Sequence, residues 1–202
     1  MLQQPSLITM NHSIQIFNDF FIQCVGRWSS ERTYHYLAAN DIERSHTDFA
    51  IFPLTEASKQ KVLLDNQYDL IKNPDQYPGF HLGFETVSEH GDRVTQSLNL
   101  MFVYQPQANP DSHTEILTGD YLRDRAYEEA KPMVAKFTFD PILKELKMTT
   151  TYTSVVSVDS ITLINPQLRI RKIINYLRPT PGAPLKNVML VGFGVEQKQP
   201  SS

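Results

Sequence analysis

A single cysteine, Cys24, leaves this 202-residue chain without any internal disulfide framework. No apolar run approaches the ~18 residues that a membrane-spanning helix needs. The N-terminal residues show no basic segment leading into an apolar one, so no secretory signal is expected. Charges nearly balance, with a formal net charge of -3, which gives no electrostatic reason to expect nucleic acid or an anionic membrane as partner. Glycine is scarce, and Gly192-Phe193-Gly194 is too short to cradle a phosphate; no Gly-x-Ser-x-Gly elbow occurs. The histidines, His12, His35, His46, His81, His90 and His113, lack metal-ligand spacing, so no metal is expected. Cys24 falls on an apolar helical face and reads as a core thiol. Nucleophilic, metal and nucleotide chemistry are therefore all disfavoured. The expectation is one cytoplasmic domain over 1–202, loose at 1–12 and 197–202.

What is present is a change of period. Ile16, Phe17, Phe20, Phe21, Cys24 and Val25 recur on one face of a 3.6-residue helix. Ser13 reads as its N-cap and Gly26 as its stop, giving a helix over about 13–25. After Gly26 the period shortens toward two. Strands are expected at 28–38 and 46–54, then a second helix over 55–72 capped by Thr55, with Val62, Leu63, Leu70 and Ile71 as its apolar contacts. Further strands are expected near 80–87, 94–105, 114–123, 132–139, 145–157, 159–164, 167–177 and 186–196. Turn residues at His90-Gly91-Asp92, Gln107 to Ser112, Asp140-Pro141, Asn165-Pro166 and Pro179 to Pro184 separate them. Many short strands with regular turns argue for a mainly β, antiparallel barrel or sandwich. A barrel of about eight to ten strands can enclose one small ligand, although a fold does not name it.

Arg169 and Arg171 are the most informative charged pair. In a strand, i and i+2 share a face, so both guanidiniums project together while Leu168 and Ile170 take the other side. Two arrangements fit this pattern. Either the arginines meet water and the aliphatics the core, or the arginines face a cavity and call for an anion, since unpaired buried charge is costly. A ligand with two carboxylates would satisfy them through forked, charge-assisted bonds.

Three segments together carry a resemblance: Gly26-Arg27-Trp28-Ser29-Ser30-Glu31-Arg32-Thr33-Tyr34-His35-Tyr36-Leu37, Leu122-Arg123-Asp124-Arg125-Ala126-Tyr127 and Pro166-Gln167-Leu168-Arg169-Ile170-Arg171. With them the chain resembles the S/U-type phycobiliprotein lyases, the CpcS/CpeS family, from about Ile14 to Lys198. The resemblance implies a lipocalin- or fatty-acid-binding-protein-like (calycin) β-barrel with an N-terminal helix and a second short helix. It implies that Arg169 and Arg171 bind the propionates of an open-chain tetrapyrrole. Phe193-Gly194-Val195-Glu196 stands where the family has a Phe-Cys-Ser-Glu-like segment, which makes Glu196 the implied catalytic acid. Arg27, Trp28 and Arg32, with Thr33 and His35, match the family around the barrel entrance and are implied in bilin binding or in architecture. Arg123, Asp124, Arg125 and Tyr127 match a further segment that an Arg–Asp surface pair would also explain. One departure is plain: where the family shows a Met-x-Trp-like strand, this chain has Gly83-Phe84-Glu85, so Phe84 is left to stack on the pigment.

The implied activity is delivery of phycocyanobilin or phycoerythrobilin, held non-covalently as substrate with no permanent cofactor, to a cysteine of a phycobiliprotein apo-subunit. The nucleophile then belongs to the acceptor, which suits a chain with none of its own. A non-catalytic subunit or pigment carrier is a second expectation, as a homodimer or a heterodimer with a related lyase subunit. A fatty-acid-binding barrel is a third, and it would need no paired arginines.

Overall fold

Glycine at position 26 marks the turning point of the chain. In the computed structural model, which describes residues 12–68, 71, 73–105, 116–124 and 132–200, Gly26 sits at φ +128°, a backbone region that side chains disfavour. A helix ends there and the strands begin. The order is α1 (His12–Cys24), β1 (Gly26–Tyr36), β2 (Asp41–Pro53), α2 (Glu56–Asp65), a 3-10 turn at Pro74–Gln76, β3 (Gly79–Ser88), β4 (Arg93–Tyr104), β5 (Leu117–Arg123), β6 (Met133–Asp140), β7 (Glu145–Thr151), β8 (Val155–Asn165), β9 (Leu168–Leu177) and β10 (Val188–Lys198). Each strand pairs with its sequence neighbour, and β10 returns to β1, closing an antiparallel barrel of ten strands. None of the described helices is long and apolar enough to cross a membrane. Of the sequence expectations, residues 1–11, Leu70, the Gln107 to Ser112 turn, and Arg125 to Tyr127 lie outside the described residues.

The aromatic face of α1 closes one end of the barrel. Phe17, Phe20, Phe21 and Cys24 are buried. Phe17 stacks on Phe137 at 5.3 Å, Phe21 on Phe80 at 5.0 Å, and Phe20 meets Phe139 edge-on at 5.3 Å. Truncating one such ring costs about 3–5 kcal/mol, so these contacts fix the helix over the barrel. Its C-terminal carbonyls, which have no partner within the helix, are taken by side chains: Lys198 Nζ donates to Gln23 O at 2.7 Å and Trp28 Nε1 to Cys24 O at 2.9 Å. α2 lies on the outer wall instead, with Val62 and Leu63 against Met101, Val103 and Leu122.

Several boundaries differ from the sequence reading. Ser13 lies within the helix His12–Cys24 as a buried residue rather than outside it as a cap. Thr55 does cap α2, its Oγ1 accepting from Ser58 N at 3.3 Å, but the helix stops at Asp65 rather than running to 72. Asn66 closes it, and Gln67 adopts φ +52°, a left-handed turn no helix continues. β2 starts at Asp41, five residues early. The break between β7 and β8 falls at Tyr152 to Ser154, not near Val158. Tyr152 N donates to Val155 O at 2.8 Å, so residues of good strand propensity form a tight turn.

Candidate functional site

The barrel encloses a cavity of about 430 Å³, within the usual range for small-molecule sites. Its α1 end is lined by Phe20, Phe21, Phe80, Phe102, Leu146 and Met148. Toward the other end the wall becomes mixed, with Tyr34, Tyr36, Ser157 and Asn175, and it reaches the surface at Val94, 47% exposed. A second hollow of about 690 Å³ lies beside α1, between Ile14, Ile22, Leu54 and Tyr77. Among the described residues its wall carries one ion pair, Lys59 with Asp75. The chemistry is concentrated in the barrel cavity.

Strand alternation decides who faces it. On β9 the inward positions are Arg169, Arg171, Ile173 and Asn175, so the arginines take the inside and Ile170 the outside. Arg169 is 4% exposed. Its Nε donates to Glu196 Oε2 at 2.5 Å, and its guanidinium lies 4.6 Å from the Trp28 ring and 5.1 Å from that of Phe49. Arg32, inward from β1, donates from Nη2 to Glu196 Oε1 at 3.5 Å. Arg171 grips Asp159 on β8 with a fork, Nε reaching Oδ1 at 3.0 Å and Nη2 reaching Oδ2. Among the described residues, three guanidiniums and two carboxylates meet on one wall, an excess of one positive charge beside an otherwise mostly apolar lining. On the far wall Arg123, 3% exposed, donates to the Tyr152 hydroxyl at 3.1 Å and lies 5.3 Å from the Tyr121 ring.

Protonation follows from this geometry. Burial alone would raise the Glu196 carboxyl, but the guanidiniums of Arg169, Arg171 and Arg32 hold it below the usual carboxylate range. Burial likewise opposes a charge on Arg169, and Glu196 keeps it protonated. Burial pushes the Cys24 thiol up, against the pull of Arg169, so this cysteine stays a thiol. Glu196 in its resting state is a carboxylate with no proton to donate.

The remaining expected residues fall in different places. Phe84, on β3, lines the cavity. Trp28 is 1% exposed and backs Arg169 without lining the cavity, stacked with Phe49 at 6.4 Å. Arg27 is exposed on the outer face of β1. His35 also faces outward, its ring stacked on Phe193 at 6.4 Å. Arg123, the last residue of β5, turns inward, while Asp124, just past the strand, accepts from Asn99 N at 2.9 Å and Asn99 Nδ2 at 3.1 Å; Arg125, the other arginine of that segment, lies outside the described residues. Asp159 was not foreseen. Its signal was present, since it is the one charged residue between Val155 and Leu163, but a strand break set at 158 made it read as a strand end rather than an interior position of β8.

The chain is similar to known proteins in sequence and in fold. A family model described as "CpeS-like protein" matches residues 16–199. Chromophore lyase CpcS/CpeS 1 of Synechococcus sp. (strain JA-3-3Ab) is 54% identical over 187 residues, covering 93% of this chain and 98% of the relative. Chromophore lyase CpcS/CpeS of Thermosynechococcus vestitus is 26% identical over 154 residues, covering 76% and 80%. Among solved structures, the S-type phycobiliprotein lyase CPES from Guillardia theta superposes with a TM-score of 0.70 over 98% of this chain and all of that one; at 19% identity it speaks for the fold. The chain belongs to the CpeS-like family.

Proposed function

We propose that this protein is a bilin lyase. It binds an open-chain tetrapyrrole such as phycocyanobilin or phycoerythrobilin in the barrel and presents it to a cysteine of a phycobiliprotein subunit. The observation that carries the reading is the ionic wall: Arg32, Arg169 and Arg171 against Glu196 and Asp159, inside a cavity otherwise lined by aromatic and aliphatic groups. The excess cation suits a propionate, and the rings opposite suit the tetrapyrrole, with Phe84 against its face. A fatty acid would find the same apolar lining but would use little of a three-arginine wall.

The covalent step adds the acceptor's thiol across the exocyclic double bond of the pigment's A ring. A carbon–sulfur bond forms, the thiol proton ends on carbon, and no oxidant is needed. This chain contributes orientation, which is worth up to about 7–11 kcal/mol in favourable cases. In this reading Arg171 and Arg32 bind the pigment. Arg169, deeper in the wall, is aimed by Glu196 and backed by Trp28. Glu196 thus serves as counter-ion rather than acid, and Asp159, which faces the cavity, is the carboxylate placed to accept from pyrrole N–H groups. Arg27, on the outside, takes no part in holding pigment.

Co-expression with a bilin source and a panel of phycobiliprotein apo-subunits tests the proposal, in the cytosolic setting such acceptors occupy. A fluorescent adduct that survives a denaturing gel is the expected result. An adduct that forms only when a second lyase-like subunit is added assigns this chain to a heteromer. No adduct with any acceptor or subunit refutes the reading.

A further inference from the structure

The inner face of β10 is bare at two successive positions. Read from the α1 end, its inward residues are Glu196, Gly194, Gly192 and Leu190. Neither glycine has the positive φ that would require glycine; the demand comes from space. A Cβ on residue 194 would lie 2.8 Å from Ser30 Oγ and 3.0 Å from both Arg32 Cγ and the Glu31 carbonyl oxygen. A Cβ on residue 192 would lie 2.5 Å and 2.7 Å from two carbons of the Tyr34 ring. The register pairs Arg32 with Gly194 and Tyr34 with Gly192. Two long side chains of β1 therefore lie across a strand that offers them no side chains of its own.

We propose that Gly192 and Gly194 are positioning residues of the pigment site. The slot at Gly194 lets Arg32 cross β10 and reach Glu196. The slot at Gly192 holds the Tyr34 ring against the wall and out of the bore. Neither glycine needs to touch the ligand. The identity of the ligand rests on the function proposed above; the placement of Arg32 does not.

The consequence is a matter of charge. With Arg32 at Glu196, three guanidiniums face two carboxylates. If a methyl on residue 194 lifts Arg32 away, two face two, and the excess cation that would meet a propionate is lost. The same methyl elsewhere does nothing of the kind: at Gly83 on β3, a Cβ would find its nearest atoms at 3.9 Å and 4.0 Å.

A double-mutant cycle over Gly194→Ala and Arg32→Ala, with Gly83→Ala as control, tests this. Phycocyanobilin binding is read by absorbance. The acid titration of Glu196 is read without pigment through the fluorescence of Trp28, the sole tryptophan, whose ring lies 4.6 Å from the Arg169 guanidinium. Gly194→Ala should weaken binding roughly tenfold or more, as expected for a lost hydrogen bond to a charged group, and add nothing in the Arg32→Ala background. Both variants should move the Trp28 titration to higher pH, while Gly83→Ala leaves binding and titration alone. Wild-type affinity in Gly194→Ala, or an equal loss in both backgrounds, overturns the proposal. If the wild type binds no bilin, the function reading fails, and the Trp28 titration alone decides the positioning role, an unmoved curve refuting it. Should Gly194→Ala not fold, Gly192→Ala and Tyr34→Ala form the equivalent cycle: the Tyr34 truncation should relieve the binding loss caused by a methyl at 192, and no relief counts against the idea.

Discussion

Replacing Glu196 by Gln separates two accounts of this residue. The carboxylate is fully buried, bonded to Arg169 at 2.5 Å and to Arg32 at 3.5 Å. Gln keeps the shape and removes the charge, so Arg169, 4% exposed, is left in a poorly solvated site without its anion. Breaking one partner of a buried ion pair costs about 3–5 kcal/mol. For a chain of this size each kcal/mol moves Tm by about 2–4 °C, so a fall of roughly 6–20 °C is expected at pH 7. Sign and pH window follow from the lowered pKa of Glu196. A carboxyl held below its unfolded value of 4.5 contributes fully above that pH, and the contribution disappears as pH falls through the folded value. The gap between wild type and Glu196→Gln should therefore be wide at pH 7 and close in acid. Bound bilin should raise the Tm of the variant more than that of the wild type, because its carboxylates meet a wall with one more unbalanced cation. The assay is thermal unfolding by circular dichroism at several pH values, with and without pigment. A variant as stable as wild type, which binds bilin normally but transfers it 10²–10⁴-fold more slowly, would show that Glu196 is a general acid and that the counter-ion account is wrong.

Other expectations follow from the same geometry. Arg171→Ala should weaken bilin binding by about 1.5–3 kcal/mol, measured by absorbance titration on protein shown by circular dichroism to be folded, since Asp159 loses its forked partner; unchanged affinity would remove Arg171 from the site. Arg169→Met combined with Glu196→Leu should cost less stability than the sum of the two single changes, since each alone strands a buried member of the pair, while Arg32 loses its contact whenever Glu196 is removed; additive losses in thermal unfolding would contradict this. Phe17→Ala should cost about 3–5 kcal/mol, because its ring contacts Phe137 and Phe139 at 5.3 Å and 5.0 Å; a small effect in denaturant unfolding would mean that α1 is not the plug of the barrel.

Much of the architecture was legible in local pattern. The spacing of Phe17, Phe20, Phe21 and Cys24 announces the face that α1 buries, and Gly26 announces the change to strands. Arg169 and Arg171 share a face by strand geometry, but pattern could not say which one. Periodicity is blind to inversion when the interior holds a ligand, because arginines inside and aliphatics outside read the same as the reverse. Asp159 was missed because a strand break was set at 158, which made it read as a strand end beside a turn, whereas it lies inside the single strand Val155–Asn165. Trp28 could not be placed from sequence, as its role depends on Arg169, which lies 141 positions later in the chain. Nor could the slots at Gly192 and Gly194 be seen, since they exist only through the pairing of β10 with β1.

The central claim is that the arginine wall holds the carboxylates of a bilin. Comparing phycocyanobilin with its dimethyl ester tests this most directly, for the ester keeps the conjugated system and loses both anions. Titrated into the wild-type protein, the free acid should bind at least tenfold more tightly than the ester, the scale of a lost charge-assisted bond, and that advantage should shrink in Arg171→Ala. Equal affinity for acid and ester would contradict the account, because the pigment would then be held by the aromatic lining alone.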